Sequence, residues 1–296
     1  MENSTTGKYL ERIQIEGLWG RVDVDWHLHP DVNILVGENG TGKSTVLQLA
    51  ASGLDGSFLM RKNFDFKLVA LTIDGRLYKS KDTSASWNIT GNRAGHTQFR
   101  LDIQHPEVLE MDYINTFEFI SAVEPNENGT SKTNLDQQLD LVTRQYLAYQ
   151  SKQSSKVFSK KATFEEAFAQ KSYLFETLNR LFSSTGKTVD EQEGELEFLI
   201  DGTERIHRND LSSGEKQLLV ILLTVLFQEG KPAILLMDEP EISLHLRWQY
   251  ELIEIIRTLN PNCQVIIATH SPSIFNDGWR DKVFWMENIV HKAVSA

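Results

Sequence analysis

A short stretch from Gly37 to Thr45 has the residue types and the spacing that bind phosphate groups. It satisfies the pattern G-x-x-x-x-G-K-[ST], in which a tight turn leads into a helix. Such a turn points backbone N–H groups and the helix N-terminus at phosphates, and its glycines leave room where Cβ atoms would collide. The alternative interpretation is a glycine-rich turn that binds nothing. The residues expected to bind a nucleotide are Asn39, Gly40, Thr41, Gly42, Lys43, Ser44 and Thr45.

Two of these residues have a predicted chemical role of their own. We expect Lys43 to pair with the β- and γ-phosphates and to count among the catalytic residues. We expect Ser44 to coordinate Mg²⁺, since hydroxyl and carboxylate oxygens suit this ion. The expected ligand of this loop is therefore ATP together with Mg²⁺.

A second pair of candidate residues follows the apolar run Ala233–Met237, which ends in Asp238, Glu239 and Pro240. An aspartate at the carboxyl end of a core strand beside a phosphate loop can hold Mg²⁺ with Ser44. Side chains alternate along an extended backbone, so Glu239 points elsewhere and can serve as general base for the attacking water. Without the phosphate loop, the same three residues would more often form a simple turn.

The segment Leu211–Gln217 reads Leu-Ser-Ser-Gly-Glu-Lys-Gln and opens a predicted helix. A serine and a glycine at a helix N-terminus form an anion site, although the same residues can also be a simple N-cap. The segment resembles the LSGGQ signature of ABC-class ATPases, in the LSSGE form of their SMC-like, RecF-type and OLD-like members. This resemblance implies that Ser212 and Gly214 face the γ-phosphate bound by a second copy, so that ATP closes a homodimer.

Other landmarks of the same family occur in the expected order. Thr269–Pro272 resembles the switch segment, which implies that His270 touches the γ-phosphate as a catalytic residue. Glu241–His245 resembles the D-loop region, with Leu246 in place of the usual proline. The glutamine that couples nucleotide binding to conformational change is assigned to Gln138.

Two assignments near these landmarks have alternatives. Gln137 and Gln104 are the other candidates for the coupling glutamine, and all three residues could be surface residues. Four residues of the first strands are candidates for the adenine site: Arg12, Trp19, Arg21 and Trp26. Core packing is the safer interpretation for each Trp, and a solvated strand face for each Arg.

The order of elements predicts an α/β fold, namely a P-loop NTPase with an ABC-type head. Strands and helices alternate from Ser213 to Thr269, which indicates a parallel core sheet flanked by helices. Alternating apolar and polar residues before Lys79 predict an antiparallel β subdomain, with a hairpin turn at Asp74-Gly75. A polar helical pattern predicts a helical insertion at about 130–190 within a single domain of residues 1–296.

Composition limits the class of protein. The N-terminus has no signal-peptide pattern, no apolar run is long enough to span a bilayer, and Cys263 is the single cysteine. We therefore expect a cytoplasmic protein with no membrane contact. The net charge of −11 argues against nucleic-acid binding by the whole surface. A local excess of Lys and Arg between Leu141 and Lys171 still allows nucleic acid as a possible partner, or is simply a solvated face.

The resemblance leaves two hypotheses about function. The chain looks like a bare ATPase of the kind found in retron- and Septu-type anti-phage systems, without long coiled-coil arms or a fused nuclease. It would convert ATP and water to ADP and phosphate, and its dimer would control a separate effector, a nuclease or a toxin. The alternative is a RecF-type repair clamp that grips DNA through the lysines Lys156, Lys160 and Lys161.

Overall fold

The computed structural model describes residues 9–55, 65–81, 97–98, 110–115, 133–190, 196–275 and 278–293. These residues fall into two compact units. Unit 1 consists of residues 1–115, 231–240 and 262–296, and unit 2 consists of residues 116–230 and 241–261. None of the described helices combines the length and the apolar character that crossing a bilayer requires.

The strands and helices alternate along much of the chain. The described strands are β1 (Leu10–Leu18), β2 (Val22–His27), β3 (Val32–Val36), β4 (Leu68–Ile73), β5 (Arg76–Lys81), β6 (Thr97–Gln98), β7 (Glu110–Asn115), β8 (Lys187–Val189), β9 (Phe198–Ile200), β10 (Glu204–Ile206), β11 (Ala233–Asp238), β12 (Cys263–Thr269), β13 (Val283–Trp285) and β14 (Val290–Lys292). The described helices are α1 (Lys43–Asp55), α2 (Asn134–Phe158), α3 (Phe164–Phe182), α4 (Ser213–Phe227), α5 (Leu246–Leu259), α6 (Pro272–Phe275) and α7 (Met286–Ile289).

Unit 1 contains a six-stranded sheet in the order β13-β3-β12-β11-β7-β6. Its strands are parallel except for β6, which pairs with β7 in the antiparallel sense. Every residue of β3, β11 and β12 is buried, as expected for near-continuous apolar strands covered on both faces. The register pairs Val36 with Thr269 and Asp238 with Ala268. The carboxyl ends of three neighbouring strands therefore meet at one edge of the sheet.

A second sheet of unit 1 is antiparallel, in the order β14-β2-β1-β4-β5. The predicted hairpin between β4 and β5 is confirmed, because Asp74 and Gly75 both have positive φ, +50° and +68°, as a type I′ turn requires. Helix α1 packs against β4 of this sheet and against β11 and β12 of the parallel sheet. The core of unit 1 is shared by α1 and the apolar faces of both sheets.

The side chain of Gln264, which is buried in β12, hydrogen-bonds to the first strand of the antiparallel sheet. Its Oε1 accepts from the Leu10 N–H at 2.9 Å, and its Nε2 donates to the Leu10 carbonyl at 2.9 Å and the His29 carbonyl at 2.8 Å. Three backbone groups near the sheet junction are thus satisfied by one side chain. A buried polar group without a partner costs about 1–3 kcal/mol, which makes this amide a strong local constraint.

Unit 2 is built around α4, whose residues are buried on nearly every side from Gly214 to Leu226. Helices α2, α3 and α5 pack against it, and β8, β9 and β10 form a small antiparallel sheet. Asp201 and Gly202, between β9 and β10, both have positive φ, +49° and +72°. Helices α2 and α3 each begin with a capping box, at Thr133 and Thr163.

A charged cluster joins α2 to Glu229, which lies two residues after the end of α4. The carboxylate of Glu229 accepts hydrogen bonds from Lys152, from Gln153 at 3.1 Å and from Lys156 at 2.7 Å. Burial alone would raise the pKa of Glu229, but the hydrogen bonds from the two lysines outweigh it and lower the pKa to about 2. Two lysines of the basic segment are therefore engaged in holding unit 2 together.

Several element boundaries differ from the prediction. Helix α1 continues to Asp55, two residues beyond Gly53, which the sequence indicates as the end of the helix. Strands β7 and β8 are among the elements that the sequence does not predict, and β8 has only three residues. Three predicted elements lie outside the described residues, namely the strands Phe99–Ile103 and Phe117–Ala122 and the loop Glu124–Ser131.

We predict that Gln264→Ala lowers the free energy of unfolding of unit 1 by about 3 kcal/mol, because three backbone groups lose their partner. Urea denaturation followed by circular dichroism measures this change. The matched control is Gln14→Ala, a half-buried glutamine of β1, which should cost less than about 1 kcal/mol. A loss as small as that of the control would show that solvent or neighbouring groups replace the amide.

Candidate nucleotide-binding site

The predicted phosphate loop is the turn between β3 and α1 in unit 1. Gly40 and Gly42 have φ of +80° and +103°, which L side chains rarely adopt, so glycine is required at both positions. The Val46 N–H donates to the Gly42 carbonyl at 2.9 Å, which places the first helical turn directly after the loop. Asn39 in the turn is exposed, whereas Thr41 in the turn and Thr45 in the first turn of α1 are half-buried.

The indole of Trp19 lies against this loop. A Cβ atom added to Gly42 would be 2.5 Å from the Trp19 Cη2 atom, so the close approach itself excludes any larger residue. The backbone N–H of Trp19 donates to the Asp65 carbonyl at 2.7 Å. This bond fixes the turn between β1 and β2 that carries the indole ring. Of the four adenine-site candidates, Trp19 is thus in contact with the loop. Arg12, by contrast, makes a two-pronged ion pair with Asp25.

Lys43 is the first residue of α1 and only 4% exposed. Its Nζ donates to the carbonyl oxygens of Gly37 at 2.9 Å and Glu38 at 3.1 Å, and lies 3.9 Å from the Glu239 Oε1. Thr41 Oγ1 also donates to the Glu38 carbonyl, at 2.8 Å. The ammonium group therefore sits inside the turn, where the phosphates of a bound nucleotide would be.

Ser44 and Asp238 meet where α1 starts and β11 ends. The Ser44 hydroxyl donates to the Asp238 Oδ1 at 2.9 Å, and Asp238 is fully buried. A hydroxyl and a carboxylate at this separation are the oxygen donors that Mg²⁺ prefers in phosphate-binding sites. The pair fits the ion that this class of fold implies, and the chemistry such an ion supplies is charge neutralisation on the phosphates.

Glu239 is placed beside Lys43 and His270 by an unusual backbone. Its φ of +51° lies in the left-handed region, which costs a residue with a side chain of order 1 kcal/mol or more. The Glu239 N–H compensates by donating to the Ala268 carbonyl of β12 at 2.8 Å. Its carboxylate pairs with the His270 Nδ1, and His270 itself is half exposed at the end of β12. Strain of this kind concentrates at functional sites.

Five side chains lie together and form one constellation in which different residues suit different chemical tasks. They are Lys43, Ser44, Asp238, Glu239 and His270. A buried ammonium and an open glycine turn can bind phosphates. An adjacent carboxylate, oriented by an imidazole, can accept a proton from water. The sequence predicted all five residues, and the structure brings them together at one edge of the parallel sheet.

The predicted residues Ser212, Gly214 and Gln138 belong to unit 2. Ser212 is the N-cap of α4, and its hydroxyl accepts from the Glu215 N–H. A Cβ atom on Gly214 would be 2.3 Å from the Ser243 carbonyl, so glycine is required for the D-loop region to approach the helix. Gln138 is half-buried in α2, and its coupling role stays a prediction. Gln104, the weaker alternative, lies outside the described residues.

Sequence reasoning missed the residues that hold the signature glutamate Glu215. They are Thr185, in the turn after α3, and Lys187, at the start of β8. Neither belongs to a recognisable motif, and both are distant from Glu215 along the chain. The sequence contained one indication of such partners, namely the carboxylate of Glu215 in the first turn of a predicted helix. A carboxylate needs a cation or several hydrogen bonds once it is buried.

We predict that Ser44→Ala weakens ATP binding by about tenfold or more in the presence of Mg²⁺ and leaves Mg²⁺-free binding nearly unchanged. The hydroxyl is expected to act through the ion, whereas Lys43→Ala should abolish binding in both conditions. Isothermal titration calorimetry with and without a chelator separates these effects. Ser52→Ala, about two turns further along α1, is the matched control and should bind normally. Equal weakening of the Ser44 variant with and without Mg²⁺ would contradict the assignment.

Curated relatives match either a part or nearly all of the chain. A putative ABC transporter ATP-binding protein of Bacillus cereus is 35% identical over 99 residues, which is 33% of this chain and 17% of the relative. The chain thus matches about a sixth of the length of the relatives of this kind. The DNA replication and repair protein RecF of Pseudomonas paraeruginosa is 23% identical and covers 97% of both chains.

Solved structures with a similar fold include an SMC head bound to the C-winged helix domain of ScpA, with a TM-score of 0.49, 16% identity and 90% coverage of both chains. Another is the recombination mediator RecF with ATPrS, with a TM-score of 0.47, 15% identity and coverage of 99% and 100%.

One family matches residues 126–276, about half of the chain, and its match includes Ser212, Asp238, Glu239 and His270. Its description is "AAA domain, putative AbiEii toxin, Type IV TA system". This match agrees with the phosphate loop and the parallel sheet, and together they identify a P-loop ATPase fold. The chain belongs to this AAA-domain family of P-loop, nucleotide-binding ATPases.

Proposed function

We propose that this chain binds ATP with Mg²⁺ and hydrolyses it to ADP and phosphate. The observation that carries this proposal is the constellation of Lys43, Glu239 and His270 beside the Ser44–Asp238 pair. Phosphate-binding, metal-binding and proton-accepting groups converge on one glycine turn, which is the set that phosphoryl transfer to water requires.

Each residue has a distinct part in the proposed reaction. The turn N–H groups and Lys43 bind the β- and γ-phosphates, and Ser44 and Asp238 hold Mg²⁺, which neutralises phosphate charge. Glu239 orients the attacking water and accepts its proton. His270 pairs with the Glu239 carboxylate and, in this proposal, contacts the γ-phosphate.

The proposed active form is a homodimer closed by ATP. The support is the LSSGE segment, in which Ser212 and Gly214 stand at the N-terminus of α4. A helix N-terminus attracts anions, and this one would bind the γ-phosphate of ATP held by the partner copy. In this proposal residues 1–296 act as one ABC-type ATPase domain, with a helical insertion at about 130–190 and Gln138 as the coupling glutamine.

The dimer is proposed to control a separate effector, a nuclease or a toxin, in bacterial anti-phage defence in the cytoplasm. The family description, which names a putative AbiEii toxin and a type IV toxin–antitoxin system, supports a role in a system of that kind. An ATP-dependent dimer suits such control, because closure and hydrolysis give the partner protein two distinct surfaces to bind.

We predict that Glu239→Gln reduces ATP hydrolysis by more than about 100-fold and traps an ATP-bound dimer, because the amide cannot accept the proton of the attacking water. Phosphate release measures hydrolysis, and sedimentation velocity with and without ATP measures the dimer. The matched control is Glu254→Gln, an exposed glutamate of α5, which should hydrolyse ATP at the parent rate. Unchanged hydrolysis in the Glu239 variant would refute the proposed mechanism.

A second candidate function, a DNA-binding repair clamp, is supported by the tip between α2 and α3. Phe158 and Phe164 are 87% and 63% exposed there, and Lys160 and Lys161 between them are exposed as well. Aromatic rings and lysines together bind single-stranded nucleic acid by stacking and by phosphate contacts. The full-length similarity to RecF, a DNA replication and repair protein, agrees with this candidate. Lys156 is instead paired with Glu229.

If the tip binds DNA, Lys160→Ala/Lys161→Ala should lower the affinity for single-stranded DNA by about tenfold at low salt. It should also reduce the slope of log affinity against log salt by about 1.4, since each lost phosphate contact contributes about 0.7. Fluorescence anisotropy over a salt series measures both. Lys79→Ala/Lys292→Ala, which removes two exposed lysines of unit 1, is the control. An affinity indifferent to salt and to both tip lysines would exclude this function.

A further inference from the structure

The signature glutamate Glu215 is held by residues from outside its own motif. It is fully buried in the first turn of α4, and its Oε2 accepts from the Ser212 N–H at 2.8 Å and the Ser212 hydroxyl at 2.9 Å. Thr185 donates to the Oε1 at 2.9 Å, and the Lys187 Nζ donates to the Oε2 at 2.7 Å. The carboxylate thus has four donors, of which one is a cation.

The charge of Glu215 is maintained by these contacts. Burial raises the pKa of Glu215, but the hydrogen bonds from Lys187, the Ser212 N–H and Thr185 outweigh that effect and hold the pKa below its ordinary value. A full negative charge therefore lies in the first turn of α4. The two side chains of the ion pair are 14% and 1% exposed, so water screens this charge only weakly.

A bare carboxylate at this position would oppose the proposed role of the helix N-terminus. The N–H groups and the helix dipole attract an anion, but a buried Glu215 without its cation would repel a phosphate that approaches the same turn. Lys187 makes the pair formally neutral. The helix N-terminus can then attract a second anion while Glu215 still closes the capping box with Ser212.

The cation comes from the segment that links the helices of unit 2 to its small sheet. Thr185 lies in the short turn after α3, and Lys187 begins β8. Hydrogen bonds from both side chains to Glu215 tie the start of α4 to this segment. The position of the signature is therefore set by residues about 30 positions earlier in the chain.

We infer that Lys187, assisted by Thr185, is a positioning residue of the signature, and that it neutralises Glu215 so that Ser212 and Gly214 can receive the γ-phosphate of ATP bound by a second copy. This inference rests on the proposed ATP-closed dimer. The proposed effect is electrostatic. The charge of Lys187 matters because the Glu215 carboxylate lies in the first turn of α4, at the helix end that is proposed to bind phosphate.

The test uses the full chain with Glu239→Gln, in which the ATP-bound dimer should accumulate. Adding Lys187→Met should weaken ATP-dependent dimerisation at least tenfold in sedimentation velocity, while binding of ATP by the monomer stays unchanged. Lys187→Arg should preserve the dimer because it keeps the charge. Lys187→Met/Glu215→Gln should return to within about threefold of Glu215→Gln alone, because no carboxylate remains to be neutralised.

The control for loss of an ion pair in unit 2 is Arg180→Met, which breaks the contact with Glu251 at 2.5 Å and should leave dimerisation unchanged. A double variant as weak as Lys187→Met, or a Lys187→Met variant that dimerises like its parent, would overturn the inference and leave the ATP-closed dimer intact. Absence of any ATP-dependent dimer in the Glu239→Gln parent would overturn the proposed function and the inference together.

Discussion

The hydrogen bond from Ser44 to Asp238 is the interaction on which the rest of the site depends. It joins two residues 194 positions apart, and it exists because β3, β12 and β11 are parallel and in register. Parallel strands deliver every loop that follows them to the same edge of the sheet. The phosphate loop, the carboxylate pair and the histidine segment are therefore neighbours, although each follows a different strand. Helix α1, packed against β11 and β12, fixes the remaining distance.

The site concentrates charge in an apolar surrounding, which costs free energy unless the charges compensate one another. Lys43, Asp238 and Glu239 are all buried, next to strands composed almost entirely of apolar residues. The ammonium is satisfied by two carbonyl groups, and the carboxylates by Ser44 and His270. A bound triphosphate would exchange these contacts for others of the same kind. These contacts hold the side chains in fixed orientations, and a site with oriented side chains loses less entropy on binding.

In unit 2 the segment Leu211–Gln217 also contains a buried charge that needs compensation. Glu215 occupies the position that closes the capping box, and the box brings a negative charge close to the turn proposed to bind phosphate. Lys187 and Thr185 donate hydrogen bonds to this carboxylate, and in the inference above they offset its charge. A buried charge requires a partner wherever it lies, and here that requirement ties the signature to the end of α3. The turn after α3 and the start of β8 thereby become part of the electrostatics of this segment.

The sequence by itself determined the motifs and the types of most elements. Glycine spacing, apolar strand runs and helix caps are local properties, since they depend on backbone conformation and on side-chain alternation over a few residues. The five residues of the constellation could be predicted for this reason. Strands β7 and β8, the contact of Trp19 with Gly42, and the partners of Glu215 were decided by the tertiary structure alone. These features arise between segments distant along the chain, where register, burial and close approach select the neighbour, and no local pattern records that choice.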